Sequence, residues 1–140
     1  EAYLNRGVVF MSQSLYQKAL DDILIANKYS NELNDPYTVN SNKYLIAQNK
    51  IYLGLYEDAH KELSSCIEYF KKNLNITSDL GKNYQMFYLY SLMSLIDTNT
   101  KLRRHKENNI LLKTALCNLN HHGQLQPDKN LIQALRQFQN

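Results

Sequence analysis

The sequence predicts an all-α protein assembled from three repeated helical hairpins and a C-terminal helix, and three observations predict it. Its 140 residues include only 4 Gly and 2 Pro, too few for the turn-rich pattern of an all-β sandwich. Apolar residues recur at three- and four-residue intervals, as they do along one face of a helix. One such frame also returns at a fixed distance. Residues 14–26, SLYQKALDDILIA, lie over residues 54–66, GLYEDAHKELSSC, with Leu15 on Leu55, Tyr16 on Tyr56, Ala19 on Ala59, Ile23 on Leu63 and Ala26 on Cys66. The offset is 40 residues, and a fixed period of this size marks a solenoid.

Each element can be read in order. The first hairpin opens on a helix carrying Tyr3, Leu4, Gly7, Val8, Phe10 and Met11, turns at 12–14, and continues in a helix from about Tyr16 with Ala19, Ile23 and Ala26 on its inner face. The second opens on Tyr44, Leu45, Ala47, Ile51 and Tyr52, turns at Leu53-Gly54, where glycine frees the backbone, and continues from about Tyr56 with Ala59, Leu63 and Cys66. Small Gly7 and Ala47 stand where a paired helix approaches closely. The first helices align with Tyr3 opposite Tyr44 or with Gly7 opposite Ala47, and the former is preferred. The third hairpin is degraded. Its first helix is expected from about Leu80 to Ile96, with Tyr84, Phe87, Tyr88, Leu92 and Leu95 apolar on nearly every side. Its second carries His105, Asn108, Leu112 and Ala115 in the frame. Tyr56 and His105 stand 49 apart, so the extra length is placed in a longer first helix or in a loop near Asp97 to Lys101. Last, Pro127 and Asp128 mark a helix start, with Leu131, Leu135 and Phe138 forming a stripe behind them. The units are thus about 1–34, 37–74 and 80–120, with the terminal helix at about 127–139.

The order of a large aromatic, Gly, Phe/Tyr, then Tyr, Ala, an apolar residue and Ala resembles the tetratricopeptide repeat. Tyr3, Gly7, Phe10, Tyr16, Ala19, Ile23 and Ala26 occupy its signature positions in the first unit, and Gly54, Tyr56, Ala59, Leu63 and Cys66 occupy those of the second half of the next. The family's usual period is about 34 residues. The longer spacing here is similar to that of the tetratricopeptide arrays in bacterial regulators. The resemblance implies a right-handed α-α superhelix and a protein-interaction or sensing role in signalling or transcription regulation. The chain opens on Glu1 rather than Met, so a piece of a longer protein is expected.

Chemistry is weighed against this frame. Glu57, Asp58, His60 and Glu62 fall between the apolar positions and read as a solvated face. Cys117 with His121-His122-Gly123 lacks the C-x2-C or H-x3-H spacing of a metal site. Both cysteines, Cys66 and Cys117, read as reduced core residues. No phosphate loop, G-x-S-x-G, H-E-x-x-H or dinucleotide fingerprint is present, so neither enzyme nor cofactor is expected. A net charge of +3 implies no polyanionic partner by itself. The one basic run is Lys101, Arg103, Arg104, His105 and Lys106. It lacks interleaved aromatics and supports a nucleic-acid-associated module only as the alternative reading. No run approaches the ~18 apolar residues that cross a membrane, no leader pattern opens the residues given, and a cytoplasmic location is expected.

In a solenoid the first helix of each pair lines the concave side. The matching faces carry Leu4, Val8, Met11, Tyr44, Gln48, Tyr52, Tyr88 and Leu92, an aromatic, apolar groove for an amphipathic helix or apolar peptide. The Lys, Asn and Arg clamp with which the family holds acidic C-terminal tails is missing. Eleven Tyr and no Trp favour half-exposed rings, and Tyr44, Tyr52 and Tyr88 are expected to line the groove together with Gln48 between them. The stripe of the terminal helix, 127–139, is expected to be incompletely covered and is the candidate for homo-oligomer formation.

Overall fold

The structure, a computed structural model, describes residues 1–76 and 83–121. The predicted terminal helix, Leu80, and His122-Gly123 lie outside the described residues. Within them the protein is an all-α helical repeat: α1 (Ala2–Ser12), α2 (Tyr16–Glu32), α3 (Pro36–Tyr52), α4 (Tyr56–Lys72), α5 (Tyr84–Lys101) and α6 (His105–His121). Among the described residues there is no strand, and no helix is long and apolar enough to cross a membrane. The chain divides into two compact units, Glu1–Cys66 and a second beginning at Ile67, with α4 contributing to each.

The period has a simple construction. Helices α2, α3 and α4 are each 17 residues long and are joined by three-residue turns, which sets the 40-residue hairpin. Every such turn carries its middle residue in the left-handed region: Ser14 (φ 60°), Asn34 (φ 54°), Gly54 (φ 79°) and, between α5 and α6, Arg103 (φ 60°). Each closes the helix before it with the same pair of bonds. Ser14 N donates to Met11 O at 3.0 Å and Leu15 N to Phe10 O at 2.9 Å; Gly54 N donates to Ile51 O at 3.0 Å and Leu55 N to Lys50 O at 2.8 Å. This is the Schellman closure, which satisfies carbonyls that a helix end leaves unpaired. Asn34 with Asp35, and Arg103 with Arg104, repeat it. At the N-termini, Asp35 accepts from Thr38 N at 3.2 Å with Pro36 following it, and Asn83 accepts from Met86 N at 3.0 Å.

Equal turns fix the register of the first helices. Ser14 and Gly54 stand 40 apart, so Gly7 lies opposite Ala47, and the preferred alignment of Tyr3 with Tyr44 is corrected by one residue. The extra length before His105 is also placed. Residues 73–83 make an eleven-residue connection where the other turns have three, and α5 has 18 residues rather than 17. Residues 97–101 are helix, not loop.

In the first unit the frame of the second helices forms the core. Ala19, Ile23, Ala59, Leu63 and Cys66 are fully buried, and Ala26 nearly so. Tyr16 and Tyr56, read as inward, are half-buried at the helix starts. Leu20, Ile23 and Ile46 form a cluster against which Leu4, Met11, Leu45 and Leu53 pack. The α1–α2 crossing is close because a Cβ at Gly7 would lie 2.7 Å from Ile23 Cγ1 and 3.3 Å from the Ala19 carbonyl oxygen. Beside it Arg6 spans from α1 to buried Asp22 on α2, with Nε donating to Oδ2 at 2.7 Å and a second guanidinium nitrogen donating to Oδ1 at 2.8 Å. Between α3 and α4, Lys43 Nζ donates to Ser65 Oγ at 2.9 Å and Lys50 pairs with Glu62 at 3.6 Å.

The Arg6 guanidinium, hydrogen-bonded to Asp22, holds the Asp22 carboxyl below the usual carboxylate range, and Asp22 raises Arg6 in return. A lowered folded-state value means that the pair's contribution is fully present above the unfolded carboxyl value of about 4 and is lost as pH falls through the folded one. Asp22→Asn is therefore expected to lower the melting temperature at pH 7 and to leave it close to wild type at the acid end. Melting curves of both proteins from neutral to acid pH check this, and a difference independent of pH would contradict it.

In the second unit Phe70, Leu74, Leu89, Leu92, Ile96, Leu112 and Ala115 are buried. Phe70 stacks on Phe87 at 5.3 Å and meets Tyr69 and Tyr84 edge-on at 5.4 and 6.5 Å. Where the other second helices carry alanine, α6 carries Asn108, whose Nδ2 donates to Ile96 O at 3.2 Å and to Thr100 Oγ1 at 3.3 Å on α5. Here a hydrogen bond replaces the small side chain at the crossing.

Candidate functional site

The groove positions separate by unit. In the first unit Val8 is 46% exposed and Tyr52 61%, while Leu4, Met11, Tyr44 and Gln48 are half-buried. Leu4 and Met11 turn part of their surface to the core cluster, which fixes them, and leave the rest outward. Tyr52, on the last turn of α3, stacks on Tyr16 of α2 with ring centroids 4.4 Å apart and planes inclined by 6°. This pair is a continuous aromatic surface at the end of the hairpins where the α1–α2 and α3–α4 turns lie.

In the second unit Tyr88 and Leu92 are each only 1% exposed. They are core residues and present no surface to a ligand in this structure. The cause is register. Counted back from the left-handed turn residue, Tyr44 and Gln48 on α3 correspond to Leu4 and Val8 on α1 and to Met93 and Asp97 on α5. Met93 is half-buried and Asp97 exposed. Spacing from the turn, rather than from the expected start of the helix, is the signal that finds them.

A second feature was not apparent in the apolar frame. Asn42 and Asn49 flank Ile46 on α3, and Asn99 lies near the end of α5; all three are buried. Asn42 Nδ2, Asn49 Oδ1 and both amide atoms of Asn99 have no hydrogen-bond partner among the described residues. Buried amides on packed helix faces interrupt the apolar pattern of α3 and α5. In the first unit, Asn31, Asn34, Asp35, Pro36, Val39 and Asn40 line an open pocket of about 300 Å³ at the α2–α3 turn. Both Asp35 oxygens are engaged by Thr38, so its carboxylate serves the helix start.

The residues weighed for chemistry do not converge. Glu57 and Asp58 are exposed on the first turn of α4, where acids meet the positive end of the helix dipole. His60 is half-buried, and Glu62 pairs with Lys50. Among the described residues no group of three His, Cys, Asp or Glu side chains is placed to hold a metal. Cys66 is buried, but Cys117 is exposed, which corrects its expected place in the core. Lys101, Arg103, His105 and Lys106 are exposed around the α5–α6 turn, with Arg104 half-buried. Comparison of the chain with family models, curated proteins and solved structures finds no match.

Proposed function

We propose that this chain is a non-catalytic protein- or peptide-binding module of tetratricopeptide type, the interaction or sensing segment of a larger bacterial regulatory protein. The observation that carries the reading is the pair of exposed apolar positions on first helices, Val8 and Tyr52, with Tyr52 held in a ring stack. A stacked, exposed aromatic surface suits the apolar face of an amphipathic helix. Leu4, Met11, Tyr44 and Gln48 supply the remaining contacts.

The double variant Tyr44→Ala/Tyr52→Ala is expected to weaken binding of a peptide selected from an amphipathic-helix display library by about thirtyfold or more, since a lost aromatic anchor costs ~2 kcal/mol or more. Helical circular dichroism should stay near wild type. Undiminished binding by the double variant would remove the proposal. The alternative reading, a nucleic-acid-associated module, is favoured by the exposure of Lys101, Arg103, His105 and Lys106 at one turn. A salt titration separates the two, because phosphate contacts weaken steeply as salt rises and an apolar groove barely responds.

A further inference from the structure

The shared frame lets each exposed position of the first hairpin be compared with its counterpart forty residues on. On the outward side of α2 and at its end, Leu24, Ile25 and Leu33 are 46%, 39% and 80% exposed. Their counterparts are Ser64, Ser65 and Asn73. On α1, exposed Tyr3 corresponds to Lys43. A hairpin of this frame therefore needs no apolar residue at these places to pack its core, and Leu24, Ile25 and Leu33 are left to serve something outside it. Tyr29, 52% exposed and stacked on Tyr3 at 6.4 Å, extends the same surface.

Charge indicates what covers it. Asp21, Leu24, Ile25 and Lys28 are all exposed on α2. Seven residues bring a helix back to within about 20° of the same direction, so Asp21 and Lys28 lie on one line, with Leu24 to one side of it and Ile25 to the other. Gln17 Nε2 donates to Asp21 Oδ1 at 3.1 Å and steadies the carboxylate. Read along the helix, the order is acid, apolar, apolar, base. Laid against itself antiparallel, this order sets acid against base at both ends and Leu24 against Ile25 in the middle. Laid parallel in register, it sets acid against acid. An isologous contact requires such reciprocal pairing, residue i on j and j on i.

We propose that two copies of this chain associate through antiparallel α2 helices. The two-fold axis passes between Leu24 and Ile25, and Lys28 of each copy meets Asp21 of the other. Opposite charges at such positions set register and orientation, while the apolar pair supplies the burial. This surface uses none of the groove residues, so the contact and the peptide-binding reading stand or fall separately.

Sedimentation analysis of the 140-residue chain across micromolar to millimolar concentration tests it. The expected result is a rise from one chain mass to two. Asp21→Lys and Lys28→Asp should each weaken the association by about tenfold or more, as facing like charges do. The double variant carrying both changes should restore it, because the pairing is then reversed but intact. Leu24→Ser/Ile25→Ser, the residues α4 carries there, should leave a monomer. All four positions are exposed, and unchanged helical dichroism verifies that folding is preserved. A wild type that stays monomeric, single charge variants that dimerise as tightly as the wild type, or a double variant that does not recover the dimer would each overturn the proposal.

Discussion

Replacing Phe70 by Ala is expected to destabilise the protein by about 4 kcal/mol, in the upper range for truncating a buried aromatic ring. Phe70 has no exposed surface, and it stacks on Phe87 while meeting Tyr69 and Tyr84 edge-on. Its loss removes the transfer free energy of the ring, leaves a cavity walled by three other rings, and forfeits pair terms of ~0.5–1.5 kcal/mol. Neighbouring Leu74 and Tyr84 are also buried, so the site can collapse only by moving several packed groups. Phe70→Leu keeps most of the volume and should cost less than half as much. Thermal denaturation of the three proteins decides the matter. The expected drop for Phe70→Ala is about 10 °C or more, and a melting temperature equal to wild type would show that the aromatic cluster is not part of a cooperative core.

The second large effect is expected from overfilling rather than truncation. Ala19→Leu adds three carbons where α1 and α2 already approach so closely that a Cβ at Gly7 would lie 3.3 Å from the Ala19 carbonyl oxygen. Ala19 is fully buried, as is Ala59 at the same place in the next hairpin. Insertion at a packed crossing costs ~1–3 kcal/mol, and the upper end is expected because the opposing residue is glycine and has no side chain to withdraw. Ala59→Leu should behave alike. Chemical denaturation measures both, and unchanged midpoints would mean that these alanines do not set the helix separation.

How far the sequence could be read follows from which faces are buried. The second helices were legible because Ala19, Ile23 and Ala26 recur as Ala59, Leu63 and Cys66 and as Asn108, Leu112 and Ala115. Their starts at Tyr16, Tyr56 and His105 are where the frame places them. The first helices were less legible, for two reasons. Helices α3 and α5 are covered on several sides, so their apolar residues show no single stripe, and buried Asn42, Asn49, Thr98 and Asn99 interrupt what remains. The turns were the other obstacle. Gly54 announces a left-handed residue, whereas Ser14 and Arg103 adopt the same conformation without any sign of it in their chemistry. Without those markers the register of α5 cannot be counted from its turn, and Tyr88 and Leu92, which the sequence places on the groove, are buried in the structure.

An apolar peptide is proposed to bind the outward face of α1 and α3. Backbone and methyl chemical shifts recorded while a library-selected amphipathic peptide is titrated into the protein test it most directly. The predicted result is perturbation concentrated at Leu4, Val8, Met11, Tyr44, Gln48 and Tyr52, with the α5–α6 turn unaffected. Perturbation confined to Lys101 through Lys106, or to the outer face of α2, would contradict it.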